Sequence, residues 1–200
     1  MYELPVTVEV FDRLYKIREN GDFRLIVDIV TACQDPDLTQ EEQTVTSIIL
    51  FYEGVDTYED VIQEFETPEL LQEAINQIKT FISCGEDETV GYKVNHKLID
   101  WKQDEKLIVA AINPMLGAGN DIRYINYMHW WTFISYYMGI GESVLHTVVG
   151  IRNKIIKGKK LEDYEKAFKR DNPEYFKWRE NKSQEEMEFE NEIMDLWKNK

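Results

Sequence analysis

The chain has 200 residues, 43% of them hydrophobic and 12% aromatic, with a formal net charge of −15. That length and apolar content supply a core without help from a metal or disulfides and exclude a disordered chain, while the excess of acid opposes general binding to nucleic-acid backbone. Cys33 and Cys84 form no disulfide framework and fit a reducing compartment, and the sequence shows neither a basic-then-apolar leader nor a run of about 18 apolar residues that would span a membrane.

Residues 6–10 (VTVEV) and 13–17 (RLYKI) alternate like short strands around a turn, which predicts an N-terminal hairpin. Glu19-Asn20-Gly21 breaks the pattern. Asp22 then caps a helix through Val30, although the β-branched content leaves a third strand open. Thr39-Gln40-Glu41-Glu42 is a capping box opening a helix that ends near Gly54, and Thr57-Tyr58-Glu59-Asp60 opens another. Thr67-Pro68-Glu69 sets a cap before a proline at the first helical position, and that helix stops before Gly85. The polar residues 86–96 read as a loop. Asp100-Trp101-Lys102-Gln103 caps a helix through Ala111 that stops around Pro114 and Gly117.

After LGAGND (116–121), one helix is expected over residues 122–138, ended by Gly139. Ser143 begins a short helix through Val149. Gly158 separates a basic link from a helix over Leu161–Arg170. Ser183-Gln184-Glu185-Glu186 is a further capping box, leading a charged helix to Trp197. The expected class is mainly α (α+β), a short N-terminal β-hairpin followed by a bundle of about seven or eight helices. Residues 1–182 read as a single domain and 183–200 as an acidic C-terminal helix, a candidate appendage.

Charge is unevenly spread. Residues 151–182 carry 11 basic and 6 acidic side chains, whereas 183–200 carry 2 and 6. A basic stretch between acidic ones pairs more readily with the protein's own acidic surface, or with a second copy, than with phosphate. The expected partners therefore include another copy of the chain, but neither nucleic acid nor a membrane.

No phosphate-binding glycine loop is present. His96, His129 and His146 stand apart, and neither H-E-x-x-H nor a zinc spacing occurs. Carboxylates such as those of EDVIQEFE (59–66) recur at spacings of three and four, as on a solvated helix face. The expectation is a non-enzymatic protein with no catalytic residues, no metal and no cofactor.

The densest feature is YINYMHWWTFISYY (124–137). Placed at 100° intervals, Ile125, His129, Phe133 and Tyr136 make a core stripe, with Ile122 beside them. Tyr124, Tyr127, Trp131, Ile134 and Met138 make a second apolar face. A helix apolar on both sides is either central in its domain or buries its second face against something else. Three readings stand: a central core helix with His129 a satisfied core histidine, a partner-binding surface centred on Trp131, or a small-molecule pocket.

The same letters carry a resemblance. Met128-His129-Trp130-Trp131-Thr132-Phe133 resembles the L-H-W-W-x-F signature of the bacteriophage "gene product fifteen" family, with Met128 in place of leucine. Asp22-Phe23-Arg24 is similar to that family's D-F-R, Asp100-Trp101-Lys102-Gln103-Asp104 to its D-[FY]-x-x-D, and Gly150-Ile151-Arg152 to its G-x-R. The order also matches, over roughly residues 5–170. The resemblance implies a protein of the phage tail module, encoded near the major tail protein and the tape-measure protein. It further implies a tail assembly chaperone acting in the host bacterial cytoplasm, with the tape-measure protein or other tail-module proteins as partners. The alternative is a structural virion protein of the tail or connector.

Overall fold

The computed structural model describes residues 3–85 and 98–178. Strands β1 (Thr7–Val10) and β2 (Arg13–Lys16) pair antiparallel with Val8 opposite Tyr15 and Val10 opposite Arg13. Phe11 adopts φ 51 to close the two-residue turn. Val10, Tyr15 and Ile17 turn inward. The bridge from Ile17 to Tyr52 and the bond from Glu53 N–H to the Lys16 carbonyl join the hairpin to the end of the second helix.

Eight α-helices follow among the described residues: α1 (Phe23–Ala32), α2 (Gln40–Phe51), α3 (Tyr58–Glu64), α4 (Pro68–Ile82), α5 (Glu105–Ile112), α6 (Trp130–Met138), α7 (Val144–Ile156) and α8 (Asp163–Asp171). Asp22 caps α1, which is a helix and not a third strand. Thr39 with Glu42 and Thr57 with Asp60 form both bonds of their capping boxes, and Thr67 caps α4 ahead of Pro68. Arg18 donates to the carbonyls of Ile49, Tyr52 and Val55 and to Asp56, satisfying the C-terminal end of α2.

Several boundaries differ from the expectation. The Asp100 carboxylate does accept from the N–H groups of Lys102 and Gln103, but it shapes only a turn, and α5 starts at Glu105. The helix begun by Ser143 does not stop at Val149. It runs to Ile156, because Leu145, Val148, Ile151 and Arg152 hold one buried face through the basic stretch. The helix expected over Leu161–Arg170 starts at Asp163, where Glu162 and Glu165 complete a capping box. The loop read at 86–96, His96 included, and the acidic helix after Ser183 lie outside the described residues.

The core is continuous. Phe51, Tyr52 and Phe81 meet edge to face in its centre, with Ile26, Ile29 and Ile48 around them, and it extends to Trp130 and Phe133. Helix α1 packs on α2 and α6, α4 backs the hairpin, and α5 joins α6 to α7. Gly21 shows how closely the parts approach. It sits at φ +74, and a Cβ there would lie 2.6 Å from Phe81 Cζ and 3.4 Å from His129 Nε2.

Candidate functional site

Residues 122–138 do not form one helix. Asp121 caps a single 3-10 turn, Ile122–Tyr124, and the chain then runs irregularly to His129, where α6 begins. The cause is competition for backbone groups. The Arg24 guanidinium takes the Ile122 carbonyl at 3.1 Å and the Ile125 carbonyl at 2.5 Å. Asp22 Oδ2 accepts the Met128 N–H at 3.0 Å, and Phe23 N–H donates to the Met128 carbonyl at 2.9 Å. The groups that would build a helix ladder are engaged by the start of α1 instead.

His129 is buried at the α6 N-cap. Its Nδ1 accepts the Trp131 N–H at 3.1 Å, which leaves Nε2–H to donate to the Pro5 carbonyl at 2.9 Å. Burial holds its pKa below the ordinary 6.5, against an opposing pull from the Pro5 bond. The two indoles reach the last turn of α4, Trp130 Nε1 donating to the Ile82 carbonyl and Trp131 Nε1 to the Phe81 carbonyl, both at 2.9 Å. The H-W-W triplet thus ties the N-terminal arm, α4 and α6 together.

A second junction lies across α5 and α7. Asp104 and Arg152 pair through two bonds of 2.5 and 3.0 Å, with side chains 0% and 3% exposed. Arg152 also donates to the carbonyls of Leu98 and Tyr175, and the Trp178 ring lies 4.4 Å from its guanidinium carbon. Trp101 links the two junctions, its ring 5.9 Å from Trp130 and 5.8 Å from Phe133. No buried side-chain polar atom lacks a partner among the described residues, and no group of three His, Cys, Asp or Glu there can hold a metal ion. These charges act as fasteners.

The aromatic face assigned from the helical wheel is divided by this geometry. Tyr124, 80% exposed, and Tyr127, 47% exposed, line an open cleft of about 660 Å³ with Arg24, Arg123 and Asn126. Ile125 and Tyr127 also border a second groove, with Leu4, Leu116, Met128 and Tyr136. Trp131 and Ile134 are half-buried against the core and line neither. Met138 is exposed at the far end of α6. In the other set His129 and Phe133 are buried, and Ile125 and Tyr136 are half-buried. Phe133 stacks on Phe23 at 4.6 Å.

The sequence reading overlooked Arg24 and Arg123 as walls of the Tyr124 cleft. Asp121, two residues before Arg123, is the local signal: it caps the turn and holds the guanidinium, and those bonds keep its carboxyl well below the usual carboxylate range.

The family model described as "Bacteriophage Gp15 protein" matches residues 1–176. The chain belongs to that family. No curated protein and no solved structure matches it. Membership makes this Gp15 chain a phage protein with a structural or tail-related role. Its four motif segments meet in pairs: D-F-R against H-W-W at the Asp22–His129 bridge, and D-W-x-x-D against G-I-R at the Asp104–Arg152 pair. No helix among its described residues is long and apolar enough to cross a membrane.

Proposed function

We propose that this Gp15 chain is a non-enzymatic tail assembly chaperone that holds the helical tape-measure protein before the tail tube polymerises. The observation that supports this most is the Tyr124–Tyr127 cleft. It offers two exposed aromatic side chains beside Arg24 and Arg123 on irregular backbone anchored to α1. Aromatic and arginine side chains are the usual anchors of a protein partner, and an amphipathic helix is a natural occupant of an apolar-and-charged groove. The −15 charge keeps a loaded complex in solution. Within the aromatic set we place binding on Tyr124 and Tyr127.

The test is co-expression with the tape-measure protein followed by pull-down. Tyr124→Ser with Tyr127→Ser is expected to weaken capture by at least about tenfold, or ~1.4 kcal/mol, while stability falls by only about 1 kcal/mol, for the bond from Tyr127 to the Asn20 carbonyl. Undiminished capture removes the cleft from the reading. Abundant copies in purified virions, read by mass spectrometry, replace the chaperone by a structural tail or connector component.

A further inference from the structure

Two arginines line the Tyr124–Tyr127 cleft, yet both are matched from within the chain. Arg24 sets Nη1 on both oxygens of Asp22 and Nη2 on the carbonyls of Ile122 and Ile125. Arg123 holds both oxygens of Asp121 through Nε, at 3.0 and 3.1 Å, and one of them again through Nη2. Glu19 is a further wall of the cleft, and Glu105, the first residue of α5, lies close enough to act on Arg123. Two guanidinium charges thus stand among four carboxylates, and the cleft is acidic despite its arginines. An incoming carboxylate has to displace Asp22 or Asp121 from its arginine and then meets Glu19, whereas an incoming cation displaces nothing.

The tyrosines favour a cation as well. Tyr127 spends its hydroxyl on the Asn20 carbonyl, and Tyr124 is 80% exposed with the Arg123 guanidinium carbon 5.7 Å from its ring centroid. What both present to solvent is mainly ring, which attracts an ammonium or a guanidinium. The net charge of −15 draws cations to the same surface from further away. The cleft also has an apolar neighbour. Ile125 and Tyr127 belong both to it and to the groove of about 420 Å³ whose other walls include Leu4, Leu116, Met128 and Tyr136. An occupant lying across Ile125 and Tyr127 meets carboxylates and tyrosine rings at one end and apolar side chains at the other.

We propose that the cleft selects a basic amphipathic helix, one that sets Lys or Arg beside Tyr124 and Glu19 and lays its apolar stripe over Ile125 and Tyr127 into the adjoining groove. This rests on the cleft being the binding surface and adds the charge of what it binds. The test uses the full chain and two synthetic helical peptides that share one leucine stripe, with lysine on the polar face of one and glutamate on that of the other. Fluorescence anisotropy at about 0.01 M salt is expected to show the lysine peptide bound at least about tenfold more tightly, and the gap is expected to narrow at about 0.15 M, as the screening length falls from about 30 to about 8 Å. Glu19→Gln with Glu105→Gln is expected to reduce the preference several-fold, and both side chains are exposed, so the fold persists. Tyr124→Ser with Tyr127→Ser is expected to weaken both peptides. Equal or tighter binding of the glutamate peptide, binding of neither, or binding that the tyrosine pair leaves intact overturns the proposal. A preference unchanged in the glutamine variant also overturns it, and assigns the selectivity to the net charge at large. The chaperone reading fails separately, on capture of the tape-measure protein, whichever peptide is preferred.

Discussion

Asp104 and Arg152 stand 48 residues apart in sequence and share a buried site. Neither is tolerable there alone, since a buried charge without its partner has lost water and gained nothing. Arg152→Ala is expected to lower stability by about 3–5 kcal/mol in urea unfolding, and Asp104→Ala by a similar amount, while a well-packed apolar pair at both positions recovers much of the loss. Single-variant losses below about 1 kcal/mol would show that water reaches the pair. His129 makes a different demand. Its folded pKa is depressed, so as pH falls the unfolded chain takes a proton before the native one does. Its contribution is complete above the ordinary 6.5 and declines as pH falls from there towards the folded value. The wild-type melting temperature is expected to fall between about pH 7 and 5.5, and to fall less in His129→Asn, which keeps an N-cap acceptor. Glu42 and Glu165, whose pKa values are lowered by hydrogen bonds to Thr39 and Lys154, lose their share only below the ordinary 4.5, so the windows separate. A core position for His129 was legible in the sequence. Its bond to Pro5 was not, because nothing in residues near 129 points to residue 5. Arg152 did leave a signal: it continues the apolar stripe of Leu145, Val148 and Ile151.

At the scale of elements, the starts of α2 and α3 were readable to the residue because a capping box is completed within four consecutive residues, and that of α4 because Thr67 caps it directly before Pro68. The stretch 122–128 was misread for the converse reason. Its aromatic content suits a helix, but Asp22 and Arg24, about a hundred residues earlier, hold its backbone. Arg24→Ala is expected to cost about 1.5–3 kcal/mol, as bonds from a charged donor are lost, and to speed hydrogen exchange in residues 122–128 while leaving α2 and α4 protected. Unchanged exchange there would mean that Arg24 does not hold the segment. The division within α6 is testable too. Phe133→Ala empties a buried site between Phe23 and Trp130 and should cost about 3–5 kcal/mol by denaturant unfolding. Trp131→Phe keeps the ring against Phe81 but drops the bond to its carbonyl, for about 1 kcal/mol. Equal losses would contradict the difference in burial between the two positions.

Across the whole molecule, fold class and family were legible because both rest on patterns that survive uncertain boundaries: hairpin first, helices after, motifs in order. The candidate surface was only partly legible. A helical wheel presumes one axis, and Tyr124 and Tyr127 do not share the axis of Trp131, Ile134 and Met138. Tyr127 shows the consequence, since its hydroxyl donates to the Asn20 carbonyl and so places the residue beside the turn that leads into α1.

The bond between His129 and Pro5 spans 124 positions. A ribosome makes the chain N-terminus first at about 5–20 residues per second, so the Pro5 carbonyl is made about 6–25 s before its donor. The hairpin and α1–α4 emerge within that interval with Asp22 and Arg24 still lacking the backbone groups of residues 122–128. During synthesis the hairpin is therefore held first by α2 alone, and Pro5, Asp22 and Arg24 wait for residues 122–129 before their own bonds can close.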